Sequence, residues 1–158
     1  MRLIKGKQIE HVIDDSGRSI IVRDSETLDH SEAYHFLIKA YAKFLENDYV
    51  PHLTAWDDQR CGMFYIVDAK TEEVLACEIY DKKHVNAKCL WIAFLYVLPK
   101  YRRNGYQKIF HQHLIRKAKA LGCNRLSAFT QSQNVTELEA VKKSGYDVDT
   151  VLMTKWLD

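Results

Sequence analysis

Residues that interrupt a fold are scarce in this chain: two prolines and six glycines among 158 residues. That scarcity excludes a collagenous, linker-rich or disordered polypeptide. Long apolar runs are missing too. The longest, Cys89 to Leu98, has ten residues, about half of what a spanning helix needs, so no membrane contact is expected. The opening stretch MRLIKGKQIEHVIDD carries charge throughout and no apolar segment of secretory length. No signal peptide is expected there, and the expected compartment is the cytoplasm. The four cysteines, at 61, 77, 89 and 123, form no CxxC pair. Two disulfides in an exported protein and free thiols in a reducing compartment are the alternatives, and the missing export signal favours free thiols. Structural zinc draws ligands from close pairs that are absent here. No metal is expected.

The most informative absence is of one charge sign. The formal net charge is only +2, yet no Asp or Glu occurs from Lys82 to Thr136. That stretch holds Lys82, Lys83, Lys88, Lys100, Arg102, Arg103, Lys108, Arg116, Lys117, Lys119 and Arg125, or +11, which leaves 12 basic against 21 acidic residues elsewhere, or −9. Such asymmetry points to an anion site on the central segment. A solvated basic helix face is the plainer alternative.

The rest of the chain is ordinary for one globular domain, taken here as residues 1–158. Arg18–Arg23 reads as a first strand. Thr27–Leu45 carries a helical stripe at Ala33, Phe36, Leu37, Ala40, Tyr41 and Phe44. Residues 46–60 lack periodicity and read as a loop or a short irregular helix. Met63–Val67 and Val74–Tyr80 form a hairpin around a polar turn. Cys89–Leu98, apolar on both faces, is a covered central strand. Tyr106–Leu121 is helical along Phe110, Leu114, Ala118 and Leu121, and Gly122 ends it. Arg125–Thr130 is a strand, Val135–Lys143 a helix capped by Asn134, and Thr150–Trp156 a last strand. The order β-α-β-β-β-α-β-α-β predicts an α/β fold (α+β mixed sheet) of about six to seven strands with helices on both faces.

The basic segment runs from the central strand through Pro99-Lys-Tyr-Arg-Arg-Asn-Gly105 into the next helix. The first amides of a helix lack internal partners and favour negative charge. A glycine at 105 allows close approach or a positive φ, and Arg102 and Arg103 add charges that suit phosphate oxygens. A turn whose glycine merely relieves strain is the alternative. The stretch Val97-Leu-Pro99-Lys-Tyr101-Arg102-Arg-Asn-Gly105-Tyr-Gln107 resembles the Arg/Gln-x-x-Gly-x-Gly/Ala loop of the GNAT superfamily of acyl-coenzyme-A-dependent N-acyltransferases. It matches at Val97, Pro99, Tyr101, Arg102 and Gly105. Asn134 opening a helix that ends Lys143-Ser-Gly145-Tyr146 is similar to the family's later Asn…Lys-x-Gly-Phe segment.

This resemblance implies a GNAT-like fold, acetyl-CoA as acyl-donor cosubstrate, and transfer to an amine of a small molecule or protein. It implies that Leu95, Tyr96 and Val97 line the pantetheine arm, at a splay between the Cys89–Leu98 and Arg125–Thr130 strands. It also implies that the backbone of Arg102, Arg103, Asn104, Gly105, Tyr106, Gln107 and Lys108 cradles the pyrophosphate. Asn134 would lie beside the pantetheine or acyl group, and charge alone suggests Lys100, Lys117 or Lys119 for the 3′-phosphate. Three positions depart from the family: Gln107 where Gly or Ala is preferred, Val141 where many members carry a tyrosine acid, and Trp91 where one branch carries a glutamate base.

With those absent, Glu78 is the candidate base, on the same strand face as Ala76 and Tyr80. A surface or salt-bridged strand glutamate is the plainer reading. Tyr80, Tyr96 and Tyr146 are candidate proton donors, although a buried tyrosine usually only packs. His111 and His113 stand two apart on a helix, do not face one another, and are expected to face solvent. Asp57 and Asp58 suit a turn or an ammonium. The acidic remainder favours a cationic acceptor such as a polyamine, a lysine side chain or a protein N-terminus. The expected activity is N-acetyl transfer from acetyl-CoA to a primary amine. The alternatives are a nucleic-acid-binding or nucleobase-modifying protein, and an acyl-CoA binder without turnover. An exposed edge on the last strands is compatible with a homodimer.

Overall fold

The computed structural model describes residues 2–46, 60–128, 135–148 and 155. Six strands lie side by side in chain order: β1 (Lys7–Ile13), β2 (Ser19–Ser25), β3 (Cys61–Asp68), β4 (Val74–Asp81), β5 (Cys89–Val97) and β6 (Arg125–Ala128). Neighbours are antiparallel as far as β5, and β5 pairs with β6 in parallel. The parallel pair needs a crossover, supplied by helix α2 (Tyr106–Ala120). Helices α1 (Tyr34–Leu45) and α3 (Val135–Lys143) complete the described set. This is the expected mixed sheet. The Thr150–Trp156 strand lies outside the described residues, as do Asn134, Asp57 and Asp58.

β3 and β4 are apolar and covered on both faces. On one, Ile20, Val22, Phe64, Ile66 and Leu90 pack with Phe110, Leu114 and Ala118 of α2. On the other, Met63, Tyr65, Val67, Cys77, Ile79 and Phe94 pack with Leu37 and Ala40 of α1. All four cysteines are buried and unbridged. No described helix is long and apolar enough to cross a membrane.

Two elements differ from the sequence reading. The edge strand β1 was not foreseen, because its register shifts between Gln8 and Glu10. That bulge leaves Ile9 and Val12 packed on the core and Ile13 exposed, a spacing that hides the period of two. α1 starts at Tyr34 rather than near Thr27. The backbone before it is engaged elsewhere: Ile4 N–H donates to the His30 carbonyl at 2.6 Å, and Glu32 N–H to the Ile4 carbonyl at 2.9 Å.

β1 also overturns the expectation that His113 faces solvent. His113 is 5% exposed, with its Nε2 2.8 Å from Glu10 Oε1. His111 is half-buried, with Nδ1 3.4 Å from the Tyr146 hydroxyl. Lys117 is half-buried and paired within the fold. It donates to Asp24 and Glu26 and lies 5.2 Å over the Tyr80 ring. The Tyr80 hydroxyl donates to the same Asp24 at 2.7 Å.

Gly62 leaves room for this network, since a Cβ there would stand 2.2 Å from the Tyr80 ring and hydroxyl. Gly62→Ala is expected to displace Tyr80 and destabilise the fold by about 3 kcal/mol, the upper end of overpacking effects. Urea denaturation measures this, and an unchanged midpoint would contradict it.

Candidate functional site

β5 breaks its own pattern at Ala93. Ile79 pairs with Phe94 but Tyr80 with Ile92, so Ala93 is the extra residue of a bulge. A bulge twists its strand and ends regular pairing. The described part of the β5–β6 ladder runs from Cys89–Arg125 to Ile92–Ala128. The bulge also inverts the faces. Leu90 and Ile92 lie on the α2 side, and so do Leu95 and Val97, whereas Phe94 and Tyr96 lie on the α1 side. Tyr96 is half-buried, with its ring 6.2 Å from Phe36.

The chain then turns through Pro99–Tyr101, a single 3₁₀ turn. Pro99 fixes φ and keeps Leu98 extended. Tyr101 is buried, flanked by Arg18 at 4.9 Å and Lys100 at 5.0 Å. Asn104 Nδ2 donates to the Tyr101 carbonyl at 3.1 Å and closes the turn. Arg103 and Gly105 both have positive φ, +65° and +85°.

Gly105 makes no side-chain cap and the first turn of α2 holds no acid. The first helical bond runs from Ile109 N–H to the Gly105 carbonyl at 3.1 Å. The amides of Tyr106, Gln107 and Lys108 precede it and so have no partner within the helix. Uncapped amides and a helix dipole without a nearby helical acid fit an anionic group. Arg102, Arg103 and Lys108 are exposed, Asn104 and Gln107 half-buried, and Tyr106 buried. Arg102 folds back, its Nε donating to the Val97 carbonyl at 3.0 Å with the guanidinium 5.6 Å over Tyr96.

Glu78 sits on β4 between Phe64 of β3 and Leu95 of β5. It is 4% exposed and makes no hydrogen bond or ion pair among the described residues. Its burial sets aside the surface position of the plainer reading. Burial, with the Glu137 charge adding, pushes its carboxyl well above the usual range. Burial also raises Glu137, on the first turn of α3. The Tyr146 phenol is pushed up to about 12 by burial and by Glu78 and Glu137. These three groups thus share one electrostatic neighbourhood on the α2 side.

Glu137 was missed in the sequence, although it is the first acid after the long basic stretch. Of the other tyrosines considered, Tyr80 is tied to Asp24, and its phenol is raised by burial and that carboxylate. Trp91 is half-buried beside the His84 ring at 5.2 Å, and Val141 is half-buried on α3. Among the described residues no group of His, Cys, Asp or Glu is placed to hold a metal.

Comparison with solved structures finds this architecture repeatedly. The aminoglycoside N-acetyltransferase AAC(6′)-Iy in complex with CoA is 12% identical, with a TM-score of 0.60 over 87% of this chain and 99% of that one. The aminoglycoside acetyltransferase meta-AAC0020, from an uncultured soil metagenomic sample, is 12% identical with a TM-score of 0.64 over 88% and 97%. The BH1408 protein of Bacillus halodurans, as an F44R mutant, is 14% identical with a TM-score of 0.67 over 87% and 99%. These likenesses establish the fold. No curated protein matches by sequence. The model of the Acetyltransferase (GNAT) family matches residues 26–146. With its bulged β5 and the uncapped start of α2, the chain belongs to that family of acyl-CoA-dependent N-acyltransferases, with acetyl-CoA as the fitting cosubstrate.

Proposed function

We propose that this protein, acting in the cytoplasm, transfers an acetyl group from acetyl-CoA to a primary amine of a cationic acceptor. In this reading Glu78 takes the amine proton. The observation that carries it is a conjunction at one end of the sheet. The uncapped start of α2 follows the Leu95–Val97 stretch of β5 through one short turn, and the buried Glu78 carboxyl sits one strand away, paired with Leu95.

The backbone from Arg102 through Lys108 holds the pyrophosphate. Leu95, Tyr96 and Val97 offer backbone groups to the pantetheine arm, and Asn134 is assigned beside that arm or the acyl group. Arg102 releases the Val97 carbonyl as the arm enters. The bound thioester supplies an activated acyl carbon, and the protein must supply a neutral amine and a path for one proton. Glu78, made basic by burial, accepts that proton once ionised. Tyr146, which shares the electrostatic neighbourhood of Glu78, is the candidate donor to the departing thiolate.

The −9 balance outside the central segment favours a cationic acceptor. Two of the similar structures are aminoglycoside acetyltransferases, so aminoglycosides join polyamines and lysine-containing peptides in the acceptor panel. The test is thiol release from acetyl-CoA with each amine. Turnover with at least one cationic amine supports the reading. Binding of acetyl-CoA without turnover on any of them supports the silent binder, consistent with Gln107, Trp91 and Val141 departing from the family.

A further inference from the structure

The turn between β1 and β2 lies against the start of α2 and brings two carboxylates to the anion loop. Tyr106 donates its hydroxyl to Asp14 Oδ2 at 2.7 Å, and Asp15 N–H donates to the Asn104 carbonyl at 3.3 Å. Asp14 is buried and fully engaged. Its Oδ1 accepts from Ser16 N–H at 2.9 Å, the Ser16 hydroxyl at 2.6 Å and Arg18 N–H at 3.0 Å. Burial works against its charge, but these bonds and Tyr106 outweigh it and hold the carboxyl below its ordinary value.

Asp15 differs on each count. It is exposed and makes no side-chain hydrogen bond or ion pair among the described residues. Its Oδ2 lies 2.9 Å from where a Cβ on Gly105 would stand. No basic side chain of the loop has moved to neutralise it: Arg102 points back to Val97, and neither Arg103 nor Lys108 pairs with it.

We infer that Asp15 is a brake on the anion loop: its carboxylate lowers the affinity for the polyphosphate of CoA, loosening both the donor and the CoA product. The inference rests on the reading of the loop given above. Two like charges about 8 Å apart at a protein surface repel enough to change a dissociation constant severalfold, and salt screens that repulsion. The donor and the free CoA product carry the same pyrophosphate, so a weaker hold speeds exchange of one for the other.

The test is calorimetric titration with CoA itself, on wild type, Asp15→Asn and Asp15→Glu, at low and at high salt. Asp15→Asn is expected to tighten CoA about threefold to fivefold at low salt. The gain should shrink at high salt, and Asp15→Glu should bind like wild type. Asp15 is exposed, and asparagine keeps its shape and its backbone N–H. If wild type binds CoA while Asp15→Asn binds it equally or more weakly at low salt, this inference alone is overturned, weaker binding meaning that Asp15 braces the loop. A folded wild type that binds no CoA removes the reading of the loop and this inference with it.

Discussion

Glu78→Gln is expected to lower kcat by about 100-fold, the lower end of what general-base catalysis contributes, while binding of acetyl-CoA stays unchanged. The same substitution should change the pH dependence. Glu78 acts as a base only when ionised, and burial, with Glu137 adding, raises its carboxyl well above the usual range. The rate of the wild type should therefore fall as pH drops through that raised value, above the range of an ordinary glutamate. In Glu78→Gln that limb should vanish.

Stability should move the opposite way. A carboxyl whose folded pKa is raised favours the fold in its neutral form, so its contribution is present at low pH and lost as pH rises through the folded value. Glu78→Gln removes that loss and should be more stable than wild type at the high end. Such opposition of activity and stability is expected at a functional site. Wild-type turnover in Glu78→Gln would instead assign the proton to water, and Glu78 would be only a buried carboxyl.

Gly105→Trp is expected to abolish acetyl-CoA binding with the fold retained. Gly105 has φ +85°, a conformation that costs a residue with a side chain about 1–2 kcal/mol. A Cβ there also meets the Asp15 carboxylate at 2.9 Å. An alanine meets both penalties and should weaken binding at least tenfold by reshaping the turn. A tryptophan adds bulk where the backbone must approach the pyrophosphate. The strain is local to an exposed loop, so circular dichroism should be unchanged. Retention of binding by Gly105→Trp would move the pyrophosphate elsewhere on the chain.

Local patterns in the sequence were enough for the elements that build the loop. The Phe110, Leu114 and Ala118 stripe is buried as its period required, and Pro99 and Gly105 stand at the 3₁₀ turn and the helix start they implied. What stayed hidden depends on partners distant in the chain. β1 was obscured by its bulge at Ile9, and losing β1 lost the partner of His113, which is Glu10. Lys117 read as a free cation because Asp24, 93 residues away, gives no local sign of reaching it. Alternation placed Glu78 on a face but not at a depth. Its depth comes from packing around it, and its electrostatic partner is Glu137 on α3. The bulge at Ala93 is equally invisible locally, since an extra residue in an apolar strand leaves composition unchanged, yet it inverts the faces of β5 beyond it.

The most direct test of the central claim is calorimetric titration of the purified wild-type protein with acetyl-CoA. The anion loop at the start of α2 predicts one-to-one binding in the micromolar range that weakens with added salt, as expected for a site held by exposed charge. A folded protein that takes up no acetyl-CoA would contradict the account at its root.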